Sequence, residues 1–258
     1  MIDHQRDLAS LHKATERLLS AVAALDNARL GGPSRLPGWS RGHVLAHLSR
    51  NADAIANVLQ GRPMYASASA READIERDAG RPLDVQLADL RDSDARLRAV
   101  AALPADWSRT VALRNGVTDS AARLPFRRLV EVELHHVDLD IGYELEDLPR
   151  DFLLREIDFL TRRFAGHPDV PPTRVVAPGA LEGTDGADGA DGTDGTDGSG
   201  AGKDGDGAWS TGRAEGEPVT VGGAPPALVG WLAGRRPGTG LTMRSDAPEA
   251  RLPALPPL

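Results

Sequence analysis

Apolar residues recur at every third or fourth position through most of the first 145 residues, and that period constrains the fold more than any other feature. Leu8, Leu11, Thr15, Leu18, Leu19, Val22 and Leu25 form one face of an amphipathic helix ending near Gly31 and Gly32. GGPSRLPGWS is a loop by its Gly and Pro content, and Ser40 is placed to cap the next helix. That helix runs to about Gln60, with Val44, Leu45, Leu48, Ala52, Ile55 and Leu59 along its buried stripe, and Gly61-Arg62-Pro63 stops it. Two further helical stretches follow over 68–79 and 83–102. Residues 107–117 are short and mixed, a loop or a small hairpin. Pro125 suits the first turn of a helix through Tyr143. Four main helices joined by loops predict a four-helix bundle over residues 5–145.

The character changes after Pro149. Residues 152–164 read as a helix and Arg174-Val175-Val176 as a short strand. Further strands are predicted over 208–211, 218–221 and 241–244, with a helix over 224–233. Strands mixed with helices predict a small α+β domain over 149–250. The whole chain is therefore α plus α+β. A Gly/Asp-rich insert with a three-residue period interrupts the second domain at 183–207. It lacks the apolar position of calcium-binding nonapeptide repeats and any side chain able to build a core, so disorder is expected there.

The charge pattern narrows the function. Of a net charge of −8, the insert contributes −6 through seven Asp and one Lys, leaving −2 on the remainder. Such a body offers no basic footprint for nucleic acid or for an anionic membrane. There are no cysteines, which excludes disulfides, thiolate zinc fingers and a Cys nucleophile. Any metal must be held by His, Asp or Glu, and any thiol chemistry must borrow its sulfur. The polar start MIDHQRDLAS and the absence of an apolar run near 18 residues predict a cytoplasmic protein. A monomer is expected, because the candidate site described next forms within one bundle.

Seven histidines are present: His4, His12, His43, His47, His135, His136 and His167. His47 flanks the apolar stripe of its helix and should point inward. Glu131 and His135 stand four apart, a rotation of about 40 degrees, so both project from one face one turn apart. Bundle metal sites are built in this way from facing helices. His47, Glu131 and His135 would make a His₂Glu set whose fourth tetrahedral position stays open, as in catalytic zinc sites. Most Glu/His pairs at this spacing are ordinary surface contacts. His43 could instead join His47 as an i, i+4 pair. Glu133 and His136 are rotated away from the first pair and are expected to face water. Asp138 shares the face of His135 and could orient that ring through a hydrogen bond, or pair with an arginine.

The segments LPGWSRGHVLAHLSRNADAIANVL, RPMYASASAREADIE, VEVELHHVDL and VTVGGAPPALVGWLAGRRPGTGL resemble the mycothiol-dependent maleylpyruvate isomerase family. GW-S-R-x-H-x-x-x-H-x-x-x-N-A and E-x-x-x-H-x-x-D-L occur in the family's order, over the bundle and both ends of the second domain but not the insert. The resemblance implies a DinB-like metal-binding bundle. It implies zinc on His47, Glu131 and His135, with His43 at a position that is not a ligand. An arginine important for activity falls on Arg235, with Arg236 adjacent. Mycothiol would supply a thiolate as fourth ligand. That thiolate would add to the cis double bond of maleylpyruvate, and rotation and elimination would give fumarylpyruvate.

Two other readings fit parts of the same residues. A mycothiol S-transferase acting on another electrophile would use the same zinc and thiol, and would consume the thiol rather than return it. A non-enzymatic binding module would hold a structural metal and would need a fourth protein ligand, for which His43 is the nearby candidate.

Overall fold

The computed structural model describes residues 2–177, 203–204, 207–245 and 251–257. The chain divides into two units, Met1–Glu144 and Leu145–Leu258. The first is helical. Helix α1 (His4–Ala23) begins where Asp3 accepts a hydrogen bond from the Arg6 amide, and it buries Leu11, Ala14, Thr15, Leu18 and Val22. A four-residue helix α2 (Asn27–Leu30) leads into the Gly/Pro loop. Ser40 caps α3 (Arg41–Leu59): its hydroxyl accepts from the His43 amide, while the His43 ring accepts from the Ser40 amide. Ser67 caps α4 (Ala68–Ala79), and Pro82 precedes α5 (Leu83–Ala101). A small antiparallel hairpin, β1 (Thr110–Ala112) with β2 (Thr118–Ser120), leads to α6 (Leu124–Asp138), which carries Pro125 in its first turn.

Four of these helices close a ring: α1 packs on α6, α6 on α3, α3 on α5, and α5 on α1. Helix α4 lies against the outside of α3. Gly42 permits that approach, because a Cβ there would sit 2.1 Å from the Ala79 carbonyl oxygen. The core is aliphatic, with Leu18, Val22, Val44, Leu45, Leu48, Leu90 and Val132 fully enclosed.

Helix α6 stops at Asp138 rather than reaching Tyr143 as predicted. The backbone of Asp140 is left-handed at φ 55°, and Gly142 follows at φ 98°. The loop before α3 is stitched to this end. Arg41 donates to the carbonyls of Leu139 (2.6 Å) and Asp140 (3.1 Å), and the Arg35 amide donates to the Asp138 carbonyl (2.8 Å). Carbonyls left over at a helix C-terminus are satisfied here by a guanidinium, which also suits the helix dipole.

The second unit pairs two helices, α7 (Arg150–Phe164) and α8 (Pro225–Leu232), with a five-stranded sheet. Its strands are β3 (Thr173–Val176), β4 (Lys203–Asp204), β5 (Ala208–Thr211), β6 (Val219–Gly222) and β7 (Thr242–Arg244), in the order β4-β5-β3-β6-β7. β3 runs antiparallel to β5 and parallel to β6, and β7 is antiparallel to β6 at the edge. Alternating Val175, Val219 and Val221 are buried, as are Leu153, Ile157, Leu160 and Phe164 of α7 and Leu228 and Val229 of α8. The helical unit followed by a small sheet unit is the α plus α+β arrangement that the sequence predicts. Most of the Gly/Asp insert 183–207 lies outside the described residues. Lys203 and Asp204 within it form β4, so the insert's last residues supply an edge strand where disorder is expected from composition.

Candidate metal centre

Helices α3 and α6 run side by side in opposite directions, and three side chains meet across them. His47 comes from α3; Glu131 and His135 come from successive turns of α6. His47 Nε2 lies 3.0 Å from Glu131 Oε2, and His135 Nε2 lies 3.1 Å from the same oxygen. One ligand atom from each residue lies within 4.8 Å of the others, the one such group among the described residues. A tetrahedral ion with arms of about 2.0–2.1 Å has ligands about 3.3 Å apart, so the two separations to Glu131 Oε2 are close to that span. The His47 side chain is 6% exposed, His135 12% and Glu131 34%, which leaves the cluster one open side. Two imidazoles and one carboxylate make a donor set suited to a borderline divalent ion such as zinc.

The neighbours prepare these ligands. Burial holds the His47 pKa down at about 4, against the pull of Glu131, so the ring is neutral at pH 7. Burial alone would push Glu131 up, but hydrogen bonds from His135 and His47 outweigh it and keep the carboxyl well below its usual range. His135 is likewise opposed by burial, yet the hydrogen bond to Asp138 and that to Glu131 raise its pKa. Asp138 is fully buried, with Oδ2 2.8 Å from His135 Nδ1. It fixes the ring so that Nε2 faces the cluster, the usual carboxylate–histidine arrangement behind a metal ligand. The Trp39 ring, 5.6 Å from that of His47, tilts against its other side.

The rival residues go elsewhere. His43 Nδ1 lies 2.7 Å from Ser40 Oγ, and its Nε2 lies 3.2 Å from Glu76, so this ring serves the helix cap and an outer contact. Glu133 and His136 do not face water: both are 2% exposed. Glu133 accepts from Arg17 (2.6 Å) and from Tyr143 Oη (2.9 Å), and His136 stacks on Tyr143 with centroids 4.1 Å apart. The expectation fails because α6 is covered by α1 as well as by α3, so two of its faces are interior. In the second unit, Arg235 follows α8 and donates to the Ala233 carbonyl at 2.7 Å. Arg236 is engaged by the carboxylate of Glu146.

Sequence reasoning missed four residues around the cluster. Arg71, in the first turn of α4, places Nη2 3.0 Å from His47 Nδ1, and its Cζ lies 5.8 Å from the centre of the Tyr65 ring. Asn51 and Arg128 lie one turn further along α3 and α6 from His47 and Glu131. Arg128 is wholly buried; its Nη1 donates to Asn51 Oδ1 at 2.9 Å, and its Nε and Nη2 have no hydrogen-bond partner among the described residues. Extending the His47 and Glu131 faces by one turn, to i+4 and i−3, would have found this second pair.

A family model described as the mycothiol maleylpyruvate isomerase N-terminal domain matches residues 11–140, the span holding the whole cluster. The fold is similar to the crystal structure of the mycothiol-dependent maleylpyruvate isomerase, with a TM-score of 0.74 and 23% identity over 96% of each chain. The same figures hold for a histidine-to-alanine mutant of that isomerase. No curated protein matches. The match over half of its length makes this chain a member of the mycothiol maleylpyruvate isomerase N-terminal domain family.

Proposed function

We propose that this chain is a metal- and mycothiol-dependent cis-trans isomerase that converts maleylpyruvate to fumarylpyruvate. The observation that carries the reading is the His47–Glu131–His135 cluster: three donors at metal spacing with one open side, in a chain of this family. His47, Glu131 and His135 hold zinc in this reading, and zinc supplies the positive charge that keeps a coordinated thiol deprotonated at neutral pH. The chain has no cysteine of its own, so the thiol comes from the cofactor. Burial keeps His47 neutral, and Asp138 holds the His135 ring in place. Reversible saturation of the double bond allows the rotation that separates cis from trans. Arg235 is the proposed carboxylate clamp; its planar fork suits that group. Arg236 is less suited because Glu146 holds it.

The test measures metal and reaction together on purified protein. About one zinc per chain is expected, with conversion of maleylpyruvate that requires mycothiol and returns it unconsumed. His47→Ala should lose both zinc and conversion. Thiol consumed with other electrophiles, and maleylpyruvate untouched, would make the protein an S-transferase instead. A folded protein that takes up no zinc would refute the centre.

A further inference from the structure

The contact between Arg71 and His47 is incompatible with a metal on His47. A guanidinium nitrogen has no lone pair to offer, so at 3.0 Å the His47 Nδ1 is the acceptor and the ring proton sits on Nε2. That Nε2–H donates to Glu131 Oε2 at 3.0 Å. Nε2 is also the nitrogen that faces Glu131 and His135, hence the one a metal there takes. A neutral imidazole ligated through Nε2 carries its proton on Nδ1, directed at Arg71. Two N–H groups cannot bond each other, and the guanidinium and a divalent ion repel. The present Arg71 contact and a loaded His47 therefore exclude one another.

We propose that metal loading releases Arg71 from His47 and turns it into a carboxylate-binding residue of the open site. This rests on the metal-centre reading above. Arg71 keeps a second anchor when the first is lost: its Cζ lies over the Tyr65 ring, 5.8 Å from the centre. Both side chains are half-buried, on the element that packs against α3 or just before it. A guanidinium held there regains the Nη2–H that His47 had occupied, and its fork can then meet a small carboxylate ligand in the bidentate geometry that arginine favours. The ligand class is a small carboxylic acid.

The experiment compares wild type, Arg71→Met and Arg71→Gln by zinc affinity, from competition with a chromophoric chelator, and by maleate binding in calorimetry. Arg71→Met is expected to bind zinc about three- to tenfold more tightly, because the competing hydrogen bond is gone. Its zinc-loaded form is expected to bind maleate at least tenfold more weakly than zinc-loaded wild type. Arg71→Gln, whose amide oxygen can accept from Nδ1–H, should match both changes and guards against a folding artefact in the first variant. Histidine ¹⁵N spectra should place the His47 proton on Nε2 without zinc and on Nδ1 with it. Zinc affinity equal to or weaker than wild type in both variants, undiminished maleate binding, or a proton on Nδ1 in both states would overturn the proposal. Normal zinc uptake with any of those results leaves the metal centre standing. Failure of folded wild type to bind zinc would overturn both.

Discussion

Replacing Asp138 by Asn isolates the carboxylate behind His135 with almost no change of shape. The wild-type Oδ2 lies 2.8 Å from His135 Nδ1 in a fully buried setting, so the bond is charge-assisted and unscreened. Partners of this kind contribute roughly 10- to 100-fold in metal affinity, or about 1.4–2.7 kcal/mol. Asn can still accept through its amide oxygen, so the lower end, about tenfold, is expected for Asp138→Asn. Asp138→Leu, which also strips the acceptor, should approach the upper end. A second effect opposes the first. Asp138 raises the His135 pKa, and a protonated His135 must release its proton before it can ligate. Removing the carboxylate weakens that competition, but only at pH values where wild-type His135 is protonated. The zinc deficit of Asp138→Asn should therefore be larger at pH 8 than at pH 6. Chelator competition at the two pH values, with circular dichroism as a check on folding, measures both. A folded Asp138→Asn within twofold of wild type at pH 8 would refute the claim that Asp138 orients the ligand.

The metal-free protein should lose stability as the pH falls from about 6.5 towards 4. His47 has its folded pKa depressed to about 4, so in that window the unfolded chain takes up a proton that the fold refuses. The depressed Glu131 acts in the same direction at lower pH, while the raised His135 acts oppositely, stabilising below its ordinary value and losing that contribution as pH rises through the raised one. At about 1.4 kcal/mol per pH unit the His47 contribution is at most about 3.5 kcal/mol, and urea midpoints should show a flatter acid limb in His47→Gln. Asn51→Leu should cost about 2–3 kcal/mol, because it leaves the buried Arg128 without its Asn51 acceptor. Arg128→Met should by contrast be neutral or stabilising in the metal-free protein, and a loss above about 2 kcal/mol in urea unfolding would contradict this. Gly42→Ala should destabilise by about 1–3 kcal/mol despite the better helix propensity of Ala, since its Cβ would meet the Ala79 carbonyl; an unchanged thermal midpoint would show that α4 can move away.

The helices of the first unit are legible in the sequence because their apolar stripes are long and their ends carry chemistry that acts locally. Ser40, Pro125 and Gly61 mark boundaries through their own backbone preferences, and α4 runs over the predicted residues. The end of α6 is not legible, because the left-handed turn at Asp140 is secured by Arg35 of the preceding loop and by Arg41 at the start of α3, about a hundred residues earlier. The same limit applies at the cluster. The facing of Glu131 and His135 follows from a four-residue spacing, whereas Arg71 reaches His47 from a separate helix whose packing on α3 depends on Gly42. Glu133 and His136 were misread because periodicity tells which residues share a face and not how many faces are covered. In the second unit β4 escapes composition altogether: a Lys-Asp pair inside a Gly/Asp tract becomes a strand only because β5 offers an open edge.

Eighty-four residues separate His47 from Glu131, whereas four separate Glu131 from His135. During synthesis at about 5–20 residues per second, the first histidine thus waits roughly 4–17 s for the other two donors. No local hairpin or single helix can complete the set; α6 alone offers two donors, and the third arrives only when α3 docks. Metal uptake is consequently a property of the assembled bundle, and in a refolding reaction it should lag behind helix formation. If the cluster holds a metal as proposed, ion present at a hundred times its dissociation constant would favour the assembled state by about 2.7 kcal/mol, and metal supply would act directly on how much of this chain stays folded.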